Sequence, residues 1–294
     1  MLVGAVHAGL VRIEFRHKIQ REPTLNDTYI VTAYSVIEDL LKAYGCQDDQ
    51  RASVSAAEIL TVAVVAAKYF HNHHERALCI LIQLGDIPRL SVSRFNRRLH
   101  ALSDWLYGLV TLLGELFSQR EVFIIDSMPL PVCKRVRARR CKKVRGRAYC
   151  GYCAAKREKF FGWRLHLICT ADGLPVAFDL LPASEHDLTP IHELTATLPT
   201  GATLFGDKGY VSAPDAQTIL EATGVRVVSI RRANMQPNRW ADDFDLRLYR
   251  KRIETVYAQL EKMGLQSLYA RTNLGFDLKT WASLLALAFT NLID

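Results

Sequence analysis

The spacing of apolar residues changes near residue 120, and this change limits the folds that the chain can adopt. Before it, apolar residues recur at helical spacing, for example in "TYIVTAYSVIEDLLKAYG" and in one long run that begins at Ser91 or Ser93 and ends at Phe117. After it, short runs rich in β-branched and aromatic residues alternate with helical segments. We therefore expect an all-α domain over residues 25–119, an α/β domain over residues 120–294 and a disordered extension over residues 1–24.

The segments after residue 120 predict a definite order of elements: strand, strand, strand, helix, strand, helix, strand, helix. The first strand is "EVFIID", and the second and third flank "ADG" as a hairpin. The fourth strand lies in "GATLFGDKGY". The expected helices are "SEHDLTPIHELTATL", "APDAQTILEATG" and "DLRLYRKRIETVYAQLEKMG". This order predicts a mixed sheet with helices packed on it.

Composition limits the class of protein, its cellular location and its partners. Hydrophobic residues make up 49% of the chain and charged residues 23%, which argues against wholesale disorder. The longest apolar runs are shorter than the roughly 20 residues that cross a bilayer, so no membrane partner is expected. Seven cysteines without the spacing of a disulfide framework indicate reduced thiols and a cytoplasmic location. A formal net charge of +8 favours a polyanionic partner.

Three acidic residues stand out by position. Asp126 ends the first expected strand, Asp207 ends the fourth, and Glu254 borders the buried stripe of the last helix. Taken singly, each aspartate could cap a turn and the glutamate could pair with Arg250 on the helix surface. Taken together, they suit a ribonuclease-H-like sheet, in which the end of the first strand lies beside the fourth and the last long helix crosses both.

Such a cluster of carboxylates has a specific chemistry. Three carboxylates in one small site repel one another unless cations neutralise them. Mg²⁺ prefers oxygen ligands, and two such ions about 4 Å apart can hold the attacking and leaving oxygens of a phosphodiester. The sequence therefore predicts a divalent-metal site that acts on a nucleic acid.

Four segments in a fixed order carry a resemblance to a known family. They are "IIDSMPLPVC", "GWRLHLICTADGLPVAFDLLPASEHD", "LFGDKGY" and "RIETVYAQLEKMG". With "LSVSRFNRRLHAL" in the helical half, this set resembles the DDE transposases of bacterial insertion sequences and is most similar to the insertion sequence 982 family. The resemblance covers residues 25 to about 290.

The resemblance implies a ribonuclease-H-like catalytic domain and the chemistry of its site. Asp126, Asp207 and Glu254 would be the catalytic and metal-binding residues, with Mg²⁺ or Mn²⁺ as the cofactor and two ions in each active site. The implied reaction is cleavage of DNA at the ends of an element, followed by transfer of those ends into target DNA. Two alternatives stay open: a structure-selective nuclease of the same fold, and a DNA-binding relative that has lost catalysis.

The implied partners are double-stranded DNA, as terminal inverted repeats and as target, and a second copy of the chain, because two element ends must be processed together. The expected location is the bacterial cytoplasm, on the nucleoid. Some insertion-sequence transposases also carry a Tyr, an Arg and a Lys around the Glu. Arg250 stands at the Arg place, whereas Arg247 and Glu261 stand at the Tyr and Lys places. The Tyr and Lys roles are therefore not carried over.

Two groups of residues are candidate DNA contacts in addition to Arg250. The first is the helix start with Arg94, Asn96, Arg97 and Arg98, which suits a helix-turn-helix reader, although a solvated helix face has the same pattern. The second is a basic segment expected to form a flexible loop beside Asp126 and to bind the phosphate backbone. Its cations are Lys134, Arg135, Arg137, Arg139, Arg140, Lys142, Lys143, Arg145 and Arg147.

Cysteines and histidines offer weaker signals. Cys133, Cys141, Cys150 and Cys153 fall in one short segment, but their spacing does not match a zinc knuckle, so zinc binding and free thiols are both open. His166 is expected to be a sheet histidine with satisfied partners, and His186 in "SEHD" lies where it could approach the acids.

Overall fold

A computed structural model of the chain describes residues 25–153, 156–231 and 234–293. The expected extension over residues 1–24 lies outside the described residues. Within them, the α-helices are Asp27–Ala43 (α1), Ala56–Phe70 (α2), His74–Leu84 (α3), Val92–Ala101 (α4), Ser103–Phe117 (α5), Ile191–Thr195 (α6), Ala213–Thr223 (α7), Trp240–Lys262 (α8) and Asn273–Ile293 (α9). The strands are Val122–Lys134 (β1), Cys150–Cys153 (β2), Glu158–Thr170 (β3), Pro175–Pro182 (β4), Thr203–Gly206 (β5) and Arg226–Ser229 (β6).

The first part of the described chain is helical, as predicted. Ser55 and Glu58 form a capping box at the start of α2, which satisfies backbone donors that the first turn leaves unpaired. The run that follows Ser91 was expected to be one helix, and this is wrong. It breaks at Leu102, which closes α4 and precedes α5. The break allows Phe95 on α4 and Leu106 on α5 to be buried in the same core.

The sheet has the predicted mixed topology. β3 is antiparallel to β1 and to β4, whereas β1 is parallel to β5 and β5 is parallel to β6. The first strand therefore lies beside the fourth expected strand, which is β5. The hairpin around "ADG" forms as β3 and β4, with Gly173 at a φ of 84° in the turn. The α/β class with a ribonuclease-H-like mixed sheet, preceded by a helical region, is confirmed by this strand order.

The expected end of the first strand is wrong. β1 does not stop at Asp126 but continues to Lys134, because the long strand β3 stays paired with it as far as Phe160. What stops at this point is the parallel pairing of β1 with β5, whose last pair is Ile125 with Gly206. Asp126 therefore lies where one neighbour of β1 ends and the other continues.

Two further elements differ from expectation. The helix expected over "SEHDLTPIHELTATL" is confined to α6, so Asp187 lies in the connection before it. The basic segment is more ordered than a flexible loop: it contains a 3₁₀ helix at Arg135–Arg140 and ends in β2, which pairs with the start of β3. Pairing with an exposed strand edge satisfies backbone groups that a loop would leave to solvent.

Apolar residues pack on both faces of the sheet. On one face, Leu60 of α2, Val256 of α8 and Leu285 of α9 share one core with the sheet residue Leu165. On the other face, α6 and α7 cover a smaller core that includes Phe123. Helices from both sides of the expected boundary at residue 119 share the first core, so that boundary stays a prediction. Among the described helices, none has the length and apolar character needed to cross a membrane.

Candidate active site

Asp126 and Asp207 are brought together by the parallel strands that carry them. Ile125 of β1 pairs with Gly206 of β5, and each aspartate is the next residue along its strand direction. Side chains that follow paired residues on parallel strands lie at the same edge of the sheet. Gly206 itself leaves room here, since a Cβ at this position would lie 3.1 Å from the Tyr210 side chain.

Asp126 is the more buried of the two acids. Burial raises the pKa of its carboxyl to about 7, and the nearby carboxylates of Asp207 and Asp187 act in the same direction. The Ser127 backbone N–H donates a 2.7 Å hydrogen bond to Oδ1 of Asp126 and opposes this shift, as does the charge of Arg250. The site thus concentrates negative charge that the protein only partly compensates.

Glu254 enters the site from α8. Its side chain is 61% exposed, and its Oε1 lies 3.1 Å from Nε of Arg250, one turn earlier on the helix. This is the surface pair that the sequence had offered as an alternative role for the glutamate. Glu254 and Arg250 also line a cavity of about 60 Å³ with Asp126 and Asp207, so the role of the glutamate in the site stays a prediction. The cavity has room for a few water-sized groups.

The donors around this cavity suit a hard divalent cation. All three acids offer oxygen, which Mg²⁺ and Mn²⁺ prefer, and the raised pKa of Asp126 reflects burial and like charges, whose repulsion a cation would relieve. In the described part of the chain, no three His, Cys, Asp or Glu side chains stand close enough to hold an ion as they are. In the structure, the Glu254 carboxylate pairs with Arg250 instead.

A comparison with protein families bears directly on this arrangement. The model of the transposase DDE domain matches residues 117–268, which is just over half of the chain and includes all three acids. The chain belongs to the DDE transposase family.

Other comparisons add little to this assignment. A search of curated proteins gives no match. Among solved structures, a pre-cleavage Mos1 transpososome aligns at 10% identity over 88% of this chain and 84% of that chain, with a TM-score of 0.24. A Mos1 transposase paired-end complex with left transposon end aligns at 11% identity over 89% and 84%, with a TM-score of 0.25. TM-scores of this size carry no argument about fold or function.

In this DDE transposase, a polar cluster beside Asp126 was missed at the level of sequence. Ser127 donates a 2.9 Å hydrogen bond from Oγ to Oδ1 of Asp187, and Arg164 donates to the same Ser127 Oγ at 3.2 Å. His186, which had been considered as a residue that approaches the acids, is exposed and accepts a hydrogen bond from the Leu188 N–H instead. Asp187 is the second acid of "SEHD" and lies five residues after the end of β4, and nothing in this local sequence indicates the contact with Ser127.

His166 lies beneath this cluster, fully buried in β3. Its Nδ1 lies 3.2 Å from the hydroxyl of Tyr210, so the expectation of a satisfied sheet histidine is confirmed for this nitrogen only. Its other ring nitrogen, Nε2, is buried and has no hydrogen-bond partner in the described part of the protein. Burial lowers the pKa of His166 to about 4, so the ring is neutral at physiological pH.

The basic segment lies farther from the acids than the sequence had indicated. Lys134 lies eight positions beyond Asp126 along β1, which corresponds to roughly 26 Å. Lys143 donates to the carbonyl of Ala270 and is only partly exposed, so it contributes to the fold. The exposed cations of the segment are Lys134, Arg135, Arg137, Arg139, Arg140, Lys142, Arg145 and Arg147.

The other candidate DNA surface is the start of α4. Arg94, Asn96 and Arg97 are exposed there, while Phe95 points into the core. Arg98 differs from them, because it donates to the carbonyl of Val54 and pairs with Asp48 at 3.4 Å. That side chain therefore ties α4 to the loop before α2.

The cysteines of the basic segment do not gather into one cluster. The thiols of Cys133 and Cys141 are neighbours, and burial followed by the Cys141 thiol raises the pKa of Cys133. Cys150 and Cys153 lie at the two ends of β2. Within the described residues, no third metal-binding side chain joins either pair.

Proposed function

We propose that this chain is the transposase of a bacterial insertion sequence, similar to the insertion sequence 982 family, which cuts DNA at the ends of its element and joins those ends to target DNA. The observation that carries the proposal is the convergence of Asp126, Asp207 and Glu254 on one cavity. These acids come from two parallel strands and one helix, within the segment that matches the transposase DDE domain.

Asp126, Asp207 and Glu254 would hold two Mg²⁺ or Mn²⁺ ions. Bound ions of this kind stabilise the negative charge that develops on a phosphate during transfer. Arg250 compensates part of the charge of the acids and holds Glu254 at 3.1 Å. If Glu254 exchanges Arg250 for an ion, the guanidinium becomes available to a DNA phosphate.

The chemistry consists of two phosphoryl transfers at this site. In the first, a water oxygen bonds to phosphorus while the bond from phosphorus to the 3′ oxygen breaks, which leaves a 3′ hydroxyl on the element. In the second, that hydroxyl attacks a phosphodiester of the target and releases a target 3′ hydroxyl. No covalent link between protein and DNA is needed. The residues of the chain bind and orient the reacting phosphate, which supplies much of the effective concentration of the reactants.

Two surfaces would hold the DNA. The exposed cations of the basic segment would bind phosphates along the backbone, independent of sequence. Lys134, roughly 26 Å from Asp126 along β1, would contact the duplex about eight base pairs from the cut, at ~3.4 Å for each base pair. Arg94, Asn96 and Arg97 at the start of α4 would contact the terminal repeat. We expect the active form to be a homodimer, which holds both element ends.

Cleavage of DNA that carries the gene's own flanking repeats tests the proposal. The full chain is expected to cut at the repeat ends with Mg²⁺ or Mn²⁺ and to be inactive in EDTA. Asp126→Asn, Asp207→Asn and Glu254→Gln should each lower cleavage by roughly 100-fold or more while DNA binding persists. Asp215→Asn is the matched control, because Asp215 is an acid of the same domain that pairs with His192 at 2.9 Å, outside the cavity lining.

A strand-transfer assay with a pre-cleaved terminal repeat separates the transposase from a nuclease of the same fold. Joined products support the proposal, whereas cutting without joining would assign the chain to the nucleases. Cleavage that persists in all three acid variants would overturn the catalytic assignment.

A further inference from the structure

We propose that Asp187 is a positioning residue that fixes the two active-site aspartates relative to one another. This inference rests on the proposed function, in which Asp126 and Asp207 hold divalent cations. It concerns a residue from the connection between β4 and α6, which contributes none of the three acids. Asp187 contacts the chain on both sides of the site.

The first contact is with the strand of Asp126. Oδ1 of Asp187 accepts a 2.9 Å hydrogen bond from the Ser127 hydroxyl. The backbone N–H of the same Ser127 donates at 2.7 Å to Oδ1 of Asp126. One residue therefore connects the two carboxylates, and fixing its side chain also fixes the peptide that orients Asp126. Hydrogen-bonded partners of metal ligands set the ligand's direction in this way.

The second contact is with the segment after Asp207. Gly209 lies two residues beyond that acid, and a Cβ built on it would lie 2.4 Å from Oδ2 of Asp187. The glycine thus lets the Asp187 carboxylate pack directly against the backbone. This explains the second glycine of "GDKGY" by a close approach rather than by a positive φ, because Gly209 is not among the residues with positive φ. Asp187 therefore packs between Ser127, which follows Asp126, and Gly209, which follows Asp207 by two residues.

A third contact keeps Asp187 in this place. Nη1 of Arg164, on β3, lies 3.8 Å from Oδ1 of Asp187 and donates to the Ser127 hydroxyl at 3.2 Å. Both charged side chains are largely buried, at 20% and 27% exposure, so the pair is weakly screened. With Oδ1 engaged by a hydroxyl and a guanidinium, Asp187 is held by the protein rather than turned towards the cavity, whose lining does not include it.

Binding of Mn²⁺ to the full chain without DNA tests this inference, with the free ion measured by electron paramagnetic resonance. Ser127→Ala and Asp187→Ala are each expected to weaken Mn²⁺ binding by about 10-fold, the loss typical of a removed partner of a metal ligand. The double variant should bind Mn²⁺ about as tightly as either single variant, because both changes break the same chain of contacts. Ser127→Thr keeps the hydroxyl and should bind within about twofold of wild type, and Asp215→Asn should match wild type.

Several outcomes decide between explanations. Loss in Ser127→Ala cannot come from a changed net charge, so it supports positioning even if Asp187→Ala fails to fold. Wild-type affinity in Ser127→Ala, or simple addition of the two effects in the double variant, would overturn the inference while leaving the proposed function intact. If Asp126→Asn binds Mn²⁺ as tightly as wild type, the proposed function itself is overturned, and the inference with it.

Discussion

Asp126 and Asp207 each lie one residue beyond the last parallel pair of β1 and β5, which is Ile125 with Gly206. The sheet thus sets two carboxylates side by side, and burial together with this neighbour raises the pKa of Asp126 to about 7. A site of this kind is unfavourable for the protein alone, since like charges and burial both oppose ionisation. Its cost to stability can be measured.

Asp126→Asn is expected to stabilise the chain in EDTA at pH 8. The folded pKa of Asp126 lies above its unfolded value of 3.8, so ionisation removes stability as the pH rises through about 7. After allowance for partial exposure, the gain in the free energy of unfolding should be about 2 kcal/mol at pH 8, and it should vanish below pH 4. Denaturant unfolding at several pH values measures it. Asp215→Asn should act in the opposite direction, because hydrogen bonds from Ser212 and His192 lower the pKa of Asp215.

Arg250→Ala is expected to tighten Mn²⁺ binding in the absence of DNA. The guanidinium holds Glu254 and adds positive charge beside Asp207 and Asp126. Because the pair is exposed, the effect should be roughly twofold to fivefold. Arg247→Ala, an exposed arginine on the same helix, is the control and should leave the affinity unchanged. Weaker Mn²⁺ binding in Arg250→Ala would mean that Arg250 orients Glu254 for the ion instead of competing with it.

Local sequence pattern was enough to predict most of the order of strands and helices, although it missed the short strand β2, and it indicated the three acids as candidates. The segments "EVFIID" and "LFGD" each indicate a strand that leads to an acid. The spacing of apolar residues around Ile253 defines the buried face of α8, and Glu254 lies at the border of that face. These features depend on residues close together in the chain. The assignment of the fourth expected strand as the neighbour of the first needed only the ribonuclease-H-like order, which the structure confirms.

Contacts between distant residues could not be predicted in the same way. Arg98 has the pattern of an exposed helix residue, yet Asp48, fifty positions earlier, pairs with it. β1 passes beyond Asp126 because β3 supplies partners as far as Phe160. Asp187 reaches Ser127 across 60 positions, and nothing in the local composition of "SEHD" specifies that contact. In each case a tertiary partner decides the role of the residue.

Gly114→Ala and Gly108→Ala form a matched pair on α5. A Cβ at Gly114 would lie 2.0 Å from the backbone oxygen of Val176 in β4, whereas a Cβ at Gly108 would meet nothing within 4 Å. Gly114→Ala should therefore lower the free energy of unfolding by at least about 2 kcal/mol, since α5 must move away from the sheet. Gly108→Ala should raise it by up to about 1 kcal/mol through helix propensity. Thermal unfolding of both variants checks the pair, and equal effects would contradict the close approach of α5 to β4.

Asn72 links the helical region to the C-terminal part of the chain. It is fully buried at a φ of 62°, and its Nδ2 donates to the Met263 carbonyl at 3.0 Å and to the Ser283 hydroxyl at 2.9 Å. Asn72→Ala should cost about 2–4 kcal/mol of unfolding free energy, because it strains the backbone and leaves buried groups unpaired. Asn72→Gly tolerates the positive φ but loses more conformational entropy on folding, so the difference between the two variants gives a lower limit for the strain in Asn72→Ala.

His74 should make the stability of the helical region depend on pH. Burial, followed by the charges of Lys279, His100 and His73, lowers the pKa of His74 to about 3. Its ring packs edge-on against Phe95 with centroids 5.6 Å apart, and its Nε2 is buried without a hydrogen-bond partner among the described residues. The folded state therefore holds this histidine in the neutral form.

The sign of the effect follows from proton binding. Between about pH 3 and 6.5 the unfolded chain binds a proton at His74 and the folded chain does not, so stability falls as the pH falls. From pH 7 to pH 5, wild type should lose about 2 kcal/mol more unfolding free energy than His74→Phe, which cannot titrate. Chemical denaturation at both pH values measures this, and His186→Gln, a change at an exposed histidine, should follow wild type. Equal losses in wild type and His74→Phe would show that His74 is protonated in the folded protein.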